Sequence, residues 1–159
     1  MRFLAMGVGA LAALVGGAVL AWAEPPKAAE TKEVAAKKEF KRLEGTWELV
    51  SMECGGEQVQ IPDDKKLRTL VVKDGRATCR FHTLVMDMTW TLNPSKTPKE
   101  LDISFKGLLG VPRKDLAIYE LNGDEFKECT DGDGKKRPRA FTTAPGSLRT
   151  VYVFKRMKT

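Results

Sequence analysis

One histidine, three cysteines and a few close-set carboxylates are what this 159-residue chain offers for chemistry. His82 follows Cys79 by three positions in Cys79-Arg80-Phe81-His82, a spacing that invites a metal-ligand reading. The stretch reads as a strand, however, and on a strand a three-residue step sends two side chains to opposite faces. Metal sites need three or four convergent ligands, and no serine stands in a nucleophile-elbow sequence such as Gly-x-Ser-x-Gly. His82 is therefore read as an exposed or hydrogen-bonded strand residue. Asp131 and Asp133 open an Asp-x-Asp-Gly pattern like the start of a calcium loop, but Lys135 holds the next ligand position and Thr142 stands where a bidentate glutamate belongs. That stretch reads as a glycine-rich turn. No catalytic residue, metal or cofactor is expected, and the chain is not read as an enzyme.

The binding candidates are of a different kind. Lys135 to Arg139, "KKRPR", could attract phosphate or lipid head groups, yet so short a basic run in a turn is ordinarily solvated, and no aromatic residue interleaves with it. The 27 basic and 21 acidic residues give a net charge of +6 with both signs interspersed, a balance that serves solubility and does not point to nucleic acid. Glu128 shares strand parity with Phe126, so it either projects into an interior, where it could meet a cationic group or an internal arginine, or reaches water from a rim. Leu84, Met86, Met88, Trp90 and Leu92 alternate with polar residues and form one apolar face, which either packs a core or lines a pocket.

These residues need elements to position them. The first residues carry Arg2, then an unbroken apolar run, then Ala21-Trp22-Ala23, the layout of a secretory signal peptide with a small-x-small cleavage site. Residues 1–23 are thus expected to be removed, leaving no stable membrane span; an uncleaved anchor is the alternative. The expected compartment is periplasmic or extracellular. There Cys54, Cys79 and Cys129 would meet oxidising conditions, with at most one internal bridge and one thiol left over, the pairing open.

Residues 24–42 read as a Pro/Ala/Lys/Glu linker running into a short helix, with Ala36, Phe40 and Leu43 on one stripe and Glu33 and Lys37 spaced as an ion pair; a frayed tether is the competing outcome. From residue 43 to 159 the texture changes to short strand-like runs separated by turn chemistry: "TWELVSMEC", "RTLVV", "RATCRFHT", "LVMDMTWTL", "LDISF", "LAIYELN", "EFKEC" and "RTVYVFKR". Lys73-Asp74-Gly75 and Asn122-Gly123 mark hairpins, the second placing Tyr119, Leu121 and Phe126 on a shared face. About eight strands with no helical pattern between them imply an all-β antiparallel sandwich or barrel in a single domain.

Four ordered segments, "LEGTWELVS", "LNPSKTPKELDIS", "LAIYELNGDEFKEC" and "RPRAFTTAPGSLRTVYVFKR", together resemble an uncharacterised family of exported lipocalin-like domains common in planctomycete bacteria. The resemblance covers nearly everything from Leu43 to Arg156. It implies an up-and-down β-barrel in which Gly45 and Trp47 close one end and a basic residue near the last strand, Arg156 or its competitor Lys155, lies over the indole. The physics suits such a pairing: burying an indole is worth roughly 2 to 3 kcal/mol, and a guanidinium over its face adds about 1 kcal/mol. A second lipocalin signature has no match, because Thr130-Asp131 is followed by glycine rather than an aromatic residue. The resemblance implies a barrel lining of Met86, Met88, Trp90, Phe105, Tyr119 and Glu128, and a small apolar or amphiphilic ligand. The alternative is a solid barrel serving as a structural or protein-interaction module of the cell envelope, since an eight-strand barrel can be filled or hollow.

Overall fold

The computed structural model describes residues 31–158. The expected leader, its cleavage site and the first part of the lead-in lie outside the described residues. A helix, α1 (Lys32–Leu43), is followed by nine strands: β1 (Gly45–Cys54), β2 (Glu57–Gln58), β3 (Arg68–Lys73), β4 (Arg76–Phe81), β5 (Leu84–Asn93), β6 (Lys99–Lys106), β7 (Pro112–Asn122), β8 (Glu125–Asp131) and β9 (Arg149–Arg156). Every pairing is antiparallel, and from β3 to β9 each strand pairs with its chain neighbour; the short β2 folds back on the end of β1, which also pairs with β3. The last strand returns to pair with the first along Trp47↔Arg156 to Cys54↔Thr150, and this closes eight of the strands into an up-and-down barrel. No helix among the described residues is long and apolar enough to cross a membrane.

The strands form where alternation and turn residues place them. The β3–β4 turn has Asp74 and Gly75 both at positive φ, and the β7–β8 turn is closed by the Asn122↔Glu125 pair. In each, residues that tolerate the left-handed region let the hairpin follow the natural strand twist. The Leu121↔Phe126 pair puts Tyr119, Leu121 and Phe126 on the inner face as expected. On β1 the register slips between Leu49 and Ser51. That bulge lets both Leu49 and Met52 face inward where strict alternation would have turned one of them out.

One end of the barrel is filled. Trp47, Leu43, Leu101, Tyr119 and Phe126 are completely buried there. Phe126 is the hub, its ring centroid 5.9 Å from Trp47, 5.7 Å from Trp90, 6.2 Å from Tyr119 and 5.7 Å from Phe154. Helix α1 lies across this end. Its buried Glu39 pairs with Lys99 of β6 at 2.5 Å and with Arg42 at 2.8 Å, so the expected helix exists and is anchored by Glu39.

The stopper is a small hydrogen-bonded assembly. The Trp47 indole N–H donates to the Leu43 carbonyl at 2.8 Å. The Arg156 guanidinium sits 4.0 Å over the indole ring and donates to the carbonyls of Glu44 (2.7 Å) and Arg42 (2.6 Å). Arg156, and not Lys155, is therefore the cation on the tryptophan. Gly45 stands at φ 129°, and a Cβ there would meet the guanidinium at 3.0 Å. A side chain at that position would conflict with both the backbone conformation and the cation.

The 17 residues between β8 and β9, 132–148, form a strap over the outer face of β6 to β9. Phe141 packs on Ile118, Cys129 and Val151, which point out of the barrel yet are buried. Arg137 donates to the carbonyls of Leu101 at 3.0 Å and Ala117 at 2.5 Å and pairs with Asp102. The basic run at 135–139, expected to be solvated, thus has one of its members committed to holding the strap. Burial works against ionisation of Asp102, but hydrogen bonds from Arg137 and Lys114 hold its carboxyl below the usual range.

Candidate ligand-binding site

The inward positions of the other end do not fill their space. Above Trp90, Ile103 and Phe154 the barrel opens into a cavity of about 280 Å³. Met86 and Met88 of β5 and Phe105 of β6 form one wall; Met52 of β1 and Tyr152 of β9 form another; Leu84 stands at the mouth. Period-two alternation, with the β1 bulge for Met52, brings each of these inward, and register sets Met88 opposite Phe105 and Met52 opposite Tyr152.

Glu128 and Thr130 reach this cup from β8, and Asp115 reaches it from β7. Glu128 is only 7% exposed, which decides between the two places its parity allowed: it is inside and not on a water-bathed rim. It lies one inward step along β8 from Phe126, just above the floor. No hydrogen bond or ion pair reaches its carboxyl among the described residues. Burial, and then the neighbouring Asp115, push its pKa up to about 8. Burial also raises Asp115, against the pull of Arg113, whose guanidinium is 3.9 Å away. Cys79, another lining residue, is pushed up to about 11 by burial and then by Glu128, and Tyr152 is raised by burial and the same carboxyl. Among the described residues the Trp90 indole N–H and the Asp115 Oδ1 also lack a hydrogen-bond partner.

Of the six side chains read as lining, Met86, Met88, Trp90, Phe105 and Glu128 meet at the cup. Tyr119 does not. The Lys99↔Tyr119 register carries it below the floor, where it is completely buried beneath α1 with Lys99 5.7 Å from its ring centroid. Burial and the nearby Glu39 carboxylate raise its pKa. Asp115, Thr130, Cys79 and Tyr152 also line the cup. Their signal was inward parity with Ala117, Phe126, Ala77 and Phe154 respectively.

His82 is not on a strand. It sits exposed at the tip of the β4–β5 hairpin at φ 53°, its backbone N–H donating to Leu67 at 2.8 Å. Asp133 accepts from the Lys135 N–H at 2.8 Å in the turn expected for it, and Asp131 pairs with Arg149 at 3.6 Å. Among the described residues no three acidic, histidine or cysteine side chains are grouped to hold a metal. The three cysteines are free thiols. Cys79 faces the cup and Cys129 faces the strap, so the barrel wall lies between them.

The fold and the cup define a class: a closed up-and-down β-barrel with one stoppered end and one end hollow, apolar and open. Comparison of the chain with family models, with curated proteins and with solved structures returns no match.

Proposed function

We propose that this chain is an exported, lipocalin-like binding protein that takes one small apolar or amphiphilic molecule into the open end of its barrel. The observation that carries the reading is the 280 Å³ cup above a solid floor. A dry apolar cavity of roughly 150 Å³ accepts benzene, so this one suits a ligand of about a dozen non-hydrogen atoms. Methionine walls adapt to varied shapes, and the few polar groups of the lining would orient the ligand. The guanidinium over Trp47 supports the lipocalin resemblance, and the apolar leader supports export. The role is read as non-catalytic: His82, at the tip of the β4–β5 hairpin, is not among the side chains that line the cup.

The interaction-module reading draws on a separate observation. Leu84, Val85, Leu109 and Val111 are exposed, and a shallow groove of about 850 Å³ runs from Leu84 and Val85 past Asp87, Ser104 and Arg113. Exposed apolar side chains grouped in this way favour contact with another surface.

Native mass spectrometry of the protein purified under gentle conditions tests the primary reading. A bound species of low mass, absent from a Met88→Trp variant whose indole fills the cup, is the expected result. An unliganded barrel that also fails to bind 2-phenylethanol in a thermal-shift titration would leave the interaction module standing alone.

A further inference from the structure

We propose that the cup is a site for an organic ammonium: a small apolar molecule with one protonated amine, seated amine-first on the Glu128 carboxylate. This rests on the cup being a ligand site and adds the ligand's chemical class.

Every ionisable side chain that lines the cup is an acid: Cys79, Asp115, Glu128 and Tyr152. Among the described residues no lysine, arginine or histidine lines it. The cup can therefore be neutral or negative but never positive. A ligand carboxylate or phosphate would lose its hydration there without finding a cation, at a cost of several kcal/mol. An ammonium would instead meet Glu128, a buried carboxyl that no cation reaches among the described residues. Arg113 has a half-exposed side chain whose guanidinium lies 3.9 Å from Asp115 and 5.9 Å from the Phe105 ring centroid. Asp115 thus has a cation within ion-pair reach, although its Oδ1 accepts no hydrogen bond among the described residues, whereas Glu128 has no cation within that reach.

The position of Glu128 also sets an orientation. It lies next to the aromatic floor, while Met86, Met88 and Phe105 rise from that level toward exposed Leu84. The charged end of the ligand goes down and its apolar body fills the upper cup. Charge-assisted hydrogen bonds of this kind are roughly twice as strong as neutral ones.

A proton balance follows. The groups facing Glu128 are Asp115 from β7, Cys79 from β4 and Tyr152 from β9, with Thr130 on its own strand, and none supplies positive charge. With its pKa near 8 in the empty cup, Glu128 is mostly neutral at pH 7. An ammonium draws it to the carboxylate, and about one proton leaves to buffer for each ligand bound. Affinity for the ammonium accordingly rises about tenfold per pH unit from pH 5 to 7, flattens near 8, and falls once the amine itself deprotonates near 10.

The test compares 2-phenylethylamine with its isosteres 2-phenylethanol and phenylacetate by calorimetry, at pH 5 to 8 and in two buffers of different ionisation enthalpy. The expected results are an amine at least tenfold tighter than the alcohol at pH 8, no measurable binding of phenylacetate, and release of close to one proton per amine at pH 7. Glu128→Gln should bring the amine down to the level of the alcohol and abolish both the proton release and the pH dependence of amine binding. An alcohol that binds as tightly as the amine, or an acid that binds best, overturns the ammonium assignment while leaving the cup as a ligand site. Binding of none of the three overturns both. The three-ligand series on the unmodified protein stands even if the variant folds poorly.

Discussion

The two ends of this barrel are made from the same eight strands with the same in–out alternation, and they differ in what occupies the inward positions and in what lies across them. At one end Trp47, Phe126, Tyr119 and Leu101 meet ring to ring and side chain to side chain, with α1 across them and a guanidinium on the indole. At the other, methionines, a threonine, a thiol and two carboxyls line the same kind of position, and α1 contributes no residue to the lining. Strand number allows either a filled or a hollow interior. Here side-chain identity decides between them, end by end. Bulky rings close the space, whereas the carboxyls at the open end resist close apolar packing because an unpaired charge cannot be buried cheaply.

This contrast can be broken by substitution. Trp47→Ala removes the stopper's ring and orphans the Leu43 carbonyl, so urea denaturation should show a loss of about 3–5 kcal/mol. A loss below about 1 kcal/mol would mean that the stoppered end does not hold the barrel together. The open end should respond in the opposite direction. In the unfolded chain the Glu128 carboxyl has its ordinary pKa of 4.5, and in the folded chain burial and then Asp115 push it up to about 8. Between those values the folded state holds the extra proton, so this group's contribution to stability is complete below about pH 4.5. It is lost at about 1.4 kcal/mol per pH unit as the pH rises toward 8, and levels off above. Glu128→Gln abolishes that slope and should leave the variant more stable than the parent by about 2–4 kcal/mol at pH 8, measured by denaturation at a series of pH values. Superimposable pH profiles for the two proteins would show that Glu128 is not held apart from a partner charge.

Much of this contrast was legible before any coordinates. Alternation in "LVMDMTWTL" put Met86, Met88 and Trp90 on one face, and Gly45-x-Trp47 marked the end to be closed. Parity placed Glu128 with Phe126. What alternation does not carry is height along the barrel, which depends on register between strands. That is why Tyr119, inward as read, lies under the floor instead of in the cup. The Leu49–Ser51 bulge has no local marker, since any residue can be inserted into a twisted edge of pairing. The strap did leave a trace: Ile118, Cys129 and Val151 are apolar at outward positions, a break in alternation that only a covering segment explains. Asp115 went unread because its strand begins at Pro112, earlier than its first apolar residue suggests.

The central claim is that one end of the interior is empty and the other full, and a crystal structure under xenon pressure tests it most directly, because xenon enters dry apolar cavities. The account predicts xenon density among Met88, Trp90 and Phe105, with none around Trp47 and Phe126. Xenon absent from the open end, with the methionines folded in to fill it, would contradict the account.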